Sequence, residues 1–320
     1  MAYVVSHSTY VEKIWIYTRN EKVVQSINKD HANSEYVKGY TLPDKIVATS
    51  DVEEALRDAV CIVHAIPVQS SHDYLSALKG KIPPTTPIVS SAKGICTKTL
   101  RLMTEIIPSA LENPGQPCAF LSGPSFAKEL LTDEPTGLVL ASSDPKLTQT
   151  LLPYFSSPKL RVYTSDDVLG VELGGALKNV FAIAAGICSG LGYGMNSKSM
   201  LITRGVSEMT RIALKMGAKP ETLSGLAGIG DIMLTCYGTL SRNQQVGVRL
   251  GKGETLQQIL ETSEEVAEGV ATTPAALQLA HKLNIKVPLI AAVAAVLEGK
   301  LNPKEAVYKL MSLPTGPEVQ

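Results

Sequence analysis

Lys178 stands inside a stretch, Leu169 to Asn196, that is apolar or small on nearly every side. The run LGVELGGALKNVFAIAAGICSGLGYGMN carries charges only at Glu172 and Lys178 and contains no proline. Its first part therefore reads as one long helix with no face for water. A buried ammonium is unfavourable unless paired, and desolvation makes it release its proton more readily. The competing reading is a lysine that packs its stem and carries its head to the protein rim. The glycines at Gly170, Gly174, Gly175 and Gly186 lower helix propensity and are suited to a backbone or ligand that comes close.

Candidates to accompany that lysine sit at helix starts and strand ends. Gly228-Ile229-Gly230-Asp231 opens a helix with an acid in its first turn. Asp231 can pair with a buried lysine, or do no more than favour the positive end of its own helix. Thr235, four residues on, faces the same side. Ser241-Arg242-Asn243 begins the next helix, and an arginine and an asparagine at a helix N-terminus suit a phosphate. In Ser122-Gly123-Pro124-Ser125-Phe126-Ala127 the free amides of a helix start suit an anion or a carboxamide, or form an ordinary helix beginning. Lys93-Gly94 follows one strand-like run and Arg19 ends another. An arginine at the end of the second strand of a dinucleotide-binding unit can accommodate a 2′-phosphate; a solvated surface arginine is the alternative. The five histidines form no H-E-x-x-H. The five cysteines (Cys61, Cys96, Cys118, Cys188, Cys236) show no C-x-x-C spacing. Zinc and disulfides are not expected, nor is a metal centre, and a reducing compartment is. No serine–histidine–acid triad is evident.

The elements that must position these residues follow from pattern. Apolar runs of strand length occur at Lys13–Tyr17, Val60–Ile66, Pro87–Ser91, Ala119–Leu121, Gly137–Ala141 and Leu160–Tyr163, alternating with helical stretches. That alternation predicts a parallel sheet covered on both faces. Ligands bind such sheets at the carboxyl ends of the strands. Asp51 reads as an N-cap, with Glu54 in the reciprocal capping-box position. From about Asp166 the strand runs stop and helices take over, so the expected domains are 1–165, nucleotide-binding, and 166–320, helical. Pro274, Pro288 and Pro303 are each expected to open a helix.

A chain of 320 residues exceeds one compact core, which agrees with two domains. Lysine plus arginine and aspartate plus glutamate both number 30, giving no net charge and no footprint for nucleic acid or an anionic membrane. Glu172 and Lys178 interrupt the most apolar stretch, so no transmembrane span is expected.

LSGPSFAKEL, GVELGGALKNVFAIAAGI, GLAGIGDIMLTC, LSRN and VAEGVATT resemble, in order and spacing, the NAD(P)-dependent glycerol-3-phosphate dehydrogenases, most of all the bacterial and plastid type. The resemblance runs from Met1 to about Leu313. It implies a Rossmann-like domain, an all-helical substrate domain and an active site between them. It implies NAD or NADP as cofactor, and dihydroxyacetone phosphate and sn-glycerol 3-phosphate as substrates. By the same resemblance Lys178 is the proton donor and acceptor, and Asn179 lies beside it. Lys93 touches substrate and cofactor. Asp231 and Thr235 hold the lysine and the substrate; Gly123 and Ser125 bind substrate; Ser241, Arg242 and Asn243 form the phosphate end. The implied cofactor contacts are Arg19, Lys93, Ala127, Arg242, Val266 and Glu268. A homodimer is implied, in the cytoplasm, or in a plastid if a transit peptide lies upstream.

One departure accompanies the match. The family opens with a strand and a G-x-G-x-x-G loop, whose glycines admit the pyrophosphate, and this sequence contains no such motif. Met1-Ala2 aligns within the helix that follows that loop. The expected fold is thus a Rossmann-like parallel sheet without its first strand and Gly-rich loop, followed by an all-α domain. The expected consequence is a central gap in the sheet and weakened cofactor binding. The alternative function is a truncated, non-catalytic isoform that keeps the helical binding or dimerisation domain.

Overall fold

The computed structural model describes residues 1–263 and 266–316. They form two compact units: residues 1–92 with 103–171, and residues 93–102 with those from 172 onward.

The first unit carries every strand found among the described residues. β1 (Ile14–Tyr17) pairs in parallel with β4 (Ile46–Thr49). A short antiparallel pair, β2 (Ala32–Asn33) and β3 (Val37–Thr41), lies between them in sequence. The main sheet has the order β5 (Ile62–His64), β6 (Ile88–Ser90), β7 (Cys118–Ser122), β8 (Thr136–Ala141), β9 (Leu160–Ser165). The strands thus fall into separate sheets, with no ladder joining β1 to β5. All pairs of the main sheet are parallel except β7–β8, which is antiparallel and corrects the expectation of a uniformly parallel sheet. Residues 123–135, with the five-residue helix Ala127–Leu131, connect the two strands, and the chain returns beside β7 rather than crossing the sheet.

Helix α1 (Ala2–Ser6) ties the sheets together from one side. Val4 and Val5 pack with Val89, Leu121, Leu138 and Phe155 beneath the main sheet. Ala2 and Tyr3 instead pack on the core of Val23, Ile27, Leu42 and Ile46 beneath β1 and β4. The free edge of β4 is covered by a side chain from α2 (Glu21–Asp30). Asn28 accepts from the Ala48 amide at 2.7 Å and donates to the Ala48 carbonyl at 2.8 Å, mimicking one residue of a neighbouring strand. Asp51 caps helix α3 (Val52–Leu56) as expected, accepting from the Glu53 amide at 2.8 Å. Glu54 does not complete a capping box, since its carboxylate accepts from the Thr49 hydroxyl at 2.6 Å. Helices α4 (Val68–Ser76), α5 (Met103–Leu111), α6 (Ala127–Leu131) and α7 (Pro145–Phe155) complete this unit.

Among the described residues, the regular elements of the second unit are all helices, and segment 93–102 joins it as an irregular stretch. Its central element is α8 (Val168–Gly190), whose opening turn belongs to the first unit. By length and composition α8 could cross a bilayer, but 89% of its most apolar window is buried within the protein. Around it lie α9 (Met195–Met216), α10 (Pro220–Leu223), a π-helical turn (Leu226–Gly230), α11 (Asp231–Tyr237), α12 (Arg242–Gly251), α13 (Leu256–Glu261), α14 (Glu268–Lys282), α15 (Pro288–Leu297) and α16 (Pro303–Met311). Pro288 and Pro303 open helices as expected. Pro274 does not. It sits inside α14, which already begins at Glu268. The start is fixed upstream by Asn243, whose side-chain oxygen accepts from the Gly269 amide at 2.8 Å. The start of α15 is held in a similar way by a buried acid: Glu208 of α9 accepts from the Leu289 and Ile290 amides at 2.7 and 3.0 Å. Burial pushes the Glu208 carboxyl up to about 7, although those two amides, Arg211 and Arg204 favour its charged form.

Helices α8 and α12 meet backbone to backbone. A Cβ on Gly186 would lie 2.1 Å from the Gln244 carbonyl oxygen, and one on Gly247 would lie 2.0 Å from that of Ile183. Gly190 and Gly251, one turn further along each helix, meet the same kind of contact. Backbone atoms cannot step aside as a side-chain tip can. Gly247→Ala should destabilise the protein by about 1–3 kcal/mol or more, whereas Gly194→Ala, in open space, should have little effect. Urea denaturation of both variants checks this; equal midpoints would show that the helices separate without penalty.

Candidate active site

The closeness of one further glycine sets the position of the buried charge. On α8 the i, i+4 ridge reads Gly174, Lys178, Ala182, Gly186, Gly190. A Cβ at Gly174 would lie 2.3 Å from the Ala227 carbonyl oxygen and 3.4 Å from Gly228 Cα, so the π-helical turn rests directly on α8. That turn is closed by the Gly230 amide donating to the Gly225 carbonyl at 3.1 Å. Such turns concentrate at functional sites because they re-aim the residue that follows. Here that residue is Asp231, at the start of α11 and fully buried. It faces Lys178, one helical turn beyond Gly174.

Asp231 is held between two ammonium groups. Lys178 Nζ donates to Asp231 Oδ1 and to Thr235 Oγ1 at 2.9 Å. Lys93 Nζ donates to Asp231 Oδ2 at 2.6 Å. Thr235 in turn donates to the Asp231 backbone carbonyl at 2.6 Å, so its oxygen points a lone pair at Lys178. Each carboxylate oxygen thus takes one lysine. Lys93 belongs to this unit through segment 93–102, although its neighbours in sequence lie in the other.

The charges respond in opposite directions. Burial brings the Lys178 ammonium down to about 8, with Lys93 adding to the effect and Asp231 opposing it. Burial alone would raise the Asp231 carboxyl, but the two lysines override it and hold it below the usual carboxylate range. The result is a lysine that titrates near neutrality beside an acid that stays charged, the combination required for proton transfer at a fixed point.

A second polar network lies one residue along α8. Asn243 donates to the Asn179 side-chain oxygen at 3.0 Å while accepting from Gly269, which joins α8, α12 and α14. Ser241 is the N-cap of α12, accepting from the Gln244 amide at 3.2 Å. Arg242 is exposed at the first position of that helix. Glu268 opens α14, and Val266 is exposed just before it.

The other candidates lie in the first unit. Gly123 follows β7 with φ +125°, and a side chain there would press on Gly137 and Leu138. Ser125 donates to the Gly123 carbonyl at 3.0 Å, and Ala127 begins α6. Arg19 is exposed two residues beyond β1. Tyr17, His64 and Tyr74, which sequence reading did not single out, gather at the ends of β1 and β5. The Tyr17 and Tyr74 rings are 6.4 Å apart and those of His64 and Tyr74 6.1 Å apart. No local pattern marks them, because a tyrosine at a strand end also reads as packing. A guanidinium and aromatic rings at the carboxyl ends of parallel strands are the donor set an adenosine phosphate needs, so these residues fit the adenosine half of a dinucleotide. Among the described residues no group of His, Cys, Asp and Glu could hold a metal ion.

Comparison with known proteins decides the family. Residues 1–148 match the model for the N-terminus, and residues 167–308 that for the C-terminus, of NAD-dependent glycerol-3-phosphate dehydrogenase. The chain belongs to this family. It is 50% identical over 301 residues to the chloroplastic glycerol-3-phosphate dehydrogenase [NAD(+)] 2 of Arabidopsis thaliana, covering 94% of this chain and 72% of that one. It is 45% identical over 302 residues to glycerol-3-phosphate dehydrogenase [NAD(P)+] of Leptospira biflexa, covering 93% of this chain and 90% of that one. The crystal structure of the glycerol-3-phosphate dehydrogenase of Coxiella burnetii superposes with a TM-score of 0.91 at 34% identity, over 98% of this chain and 94% of that one. The Rossmann-like sheet and the helical C-terminal domain are therefore those of the glycerol-3-phosphate dehydrogenases, of the bacterial and plastid type.

The buried triad also holds the fold of the second unit together. Asp231→Asn removes the charge that two lysines share and should destabilise the protein by about 3–5 kcal/mol. Thr235→Val should cost about 1 kcal/mol. Denaturant unfolding at neutral pH measures both; an unchanged Asp231→Asn midpoint would mean that the lysines find other partners.

Proposed function

We propose that this chain catalyses reversible hydride transfer between NADH or NADPH and dihydroxyacetone phosphate, giving sn-glycerol 3-phosphate, with Lys178 as the proton donor and acceptor. The observation that carries the reading is the buried cluster of Lys178 and Lys93 on one aspartate. When bound, the nicotinamide supplies the hydride in one direction and accepts it in the other. As the ketone carbon gains a hydride, its oxygen gains negative charge, and the Lys178 ammonium delivers the proton that neutralises it. In the reverse direction neutral Lys178 takes the hydroxyl proton. Asp231 and Thr235 fix the Nζ position. The Lys178 and Lys93 ammonium groups favour the oxyanion as it develops.

The remaining roles divide by unit. Lys93 and the Asn179 side-chain amide flank Lys178 and bind the substrate near its reacting oxygen. Arg242 and the amides of the first turn of α12 take the phosphate. Ser241 and Asn243, whose side chains already cap α12 and brace α14, hold that turn in place. Gly123 and Ser125 line the substrate, with Ala127, Val266 and Glu268 towards the cofactor and Arg19 on its adenosine side. Fixing a remote phosphate orients the carbonyl before reaction. The homodimer belongs to the same proposal, as does a plastid or cytoplasmic setting; plant relatives named chloroplastic support the former and bacterial relatives the latter.

Because Lys178 titrates at about 8, kcat/KM for ketone reduction should fall as pH rises through that value, and kcat/KM for alcohol oxidation should rise through it. Initial rates from reduced-cofactor absorbance give both profiles. Lys178→Met should lose about 10²–10⁴-fold in kcat while still binding reduced cofactor. Flat profiles, or full turnover by the variant, would remove Lys178 from the reaction.

A further inference from the structure

One buried acid takes no part in the site described above. Glu208 lies within α9 and is 2% exposed. Its two carboxylate oxygens reach the opening of α15, where Oε1 accepts from the Leu289 amide at 2.7 Å and Oε2 from the Ile290 amide at 3.0 Å. The amides of a first helical turn need acceptors from outside the helix, and α15 has none of its own. Val287, in the capping position, carries a side chain that cannot accept. The cap of α15 therefore comes from another helix, 81 positions upstream.

That placement sets two influences against each other. The amides and the positive end of α15 favour a carboxylate, whereas loss of water favours the neutral acid. The charges that bear on Glu208 are Arg211 and Arg204, on its own helix, and both favour ionisation. Arg204 is exposed, and Arg211 donates to the Lys286 carbonyl at 3.0 Å. Among the elements packed on α9, α15 has no ionisable side chain. The α10 segment exposes Lys219 and Glu221, and Asp231 of α11 is engaged by its lysines. Helix α8 meets α9 through Phe181, against which Gly205 lies closely. His281 and Lys282 of α14, and Lys286 before α15, are exposed. Burial outweighs the amides and the two arginines, and the carboxyl is raised.

We propose that Glu208 is a proton-controlled catch between α9 and α15: the neutral acid holds the opening of α15 in place, and loss of its proton loosens that end of the helix. A neutral carboxyl keeps acceptor capacity for the amides and escapes the penalty of a buried charge. In the closed contact Glu208 titrates at about 7, against an ordinary value of 4.5 for a hydrated side chain. The closed form thus binds the proton more tightly. Its advantage is fully present below 4.5 and is lost as pH rises to about 7. Helix α15 packs against α14 and α16 as well as α9, so the catch governs how firmly the last three helices seat on the unit.

Amide hydrogen exchange of the full chain from about pH 5 to pH 8, corrected for the intrinsic pH dependence of exchange, tests this at Leu289 and Ile290. Their protection is expected to fall by roughly 50–100-fold across that range. In Glu208→Gln, which keeps an acceptor oxygen and has no proton to lose, it should stay constant within about threefold. The carboxyl carbon-13 resonances of the unaltered chain give a second reading that needs no variant: one glutamate is expected to titrate at about 7. Flat protection in the unaltered chain, a rise with pH, or an equal fall in Glu208→Gln would overturn the catch. Glutamate resonances that all titrate near the ordinary 4.5 would do the same.

Discussion

Everything in the helical unit depends on one carboxylate shared by two lysines in a place closed to water. Asp231 could not be buried alone, and neither Lys178 nor Lys93 would be stable there without it. The arrangement is held from three directions: α8 brings Lys178, the π-helical turn brings Asp231, and segment 93–102 brings Lys93. The more buried of the two, Lys178, is the one brought towards neutral pH. Under the proposed function, proton transfer would draw on the same interaction that balances the buried charge.

The close packing of glycines is what makes that interaction possible. Gly174 lets the π-helical turn lie on α8, and Gly186 and Gly190 let α12 do the same about three and four turns later. The α12 start, with Ser241, Arg242 and Asn243, is thereby fixed relative to Lys178 through backbone contacts rather than flexible side chains. Asn243 extends the brace to α14 through Gly269. A reaction that needs a phosphate and a carbonyl held at a set spacing is served by such stiffness.

Much of this was legible in sequence because its signals are local. A helix apolar all round with one lysine predicts a buried ammonium, and α8 bears this out at Lys178. Helix starts at Asp231 and Arg242 were readable from residue type and appear within a residue of expectation. What connects them was not readable. Lys178 and Asp231 are 53 residues apart and Lys93 and Asp231 are 138 apart, and no periodicity records such a contact. It took the resemblance to a family to join them. The antiparallel return of β8 and the place of Pro274 inside α14 also escaped, because an apolar strand run does not record its direction and the start of α14 is held by Asn243 from another helix. The Tyr17–Tyr74–His64 cluster escaped because it is assembled from the ends of two sheets.

That assembly gives the first unit an uneven distribution of stability. A two-stranded sheet is marginal by itself, and β1 with β4 is tied to the rest chiefly by the small core under Ala2, Tyr3 and Ile14. Amide exchange and proteolytic cutting should therefore reach this corner through a local opening well below the energy of global unfolding. Arg19 and Tyr17 ride on that corner. A cofactor that engages Arg19, as proposed, would order this corner, and part of its binding free energy would go into local folding. Cofactor and substrate would then report on different mechanical regimes of one molecule, a compliant corner for the adenosine and a rigid helical frame for the reacting carbon.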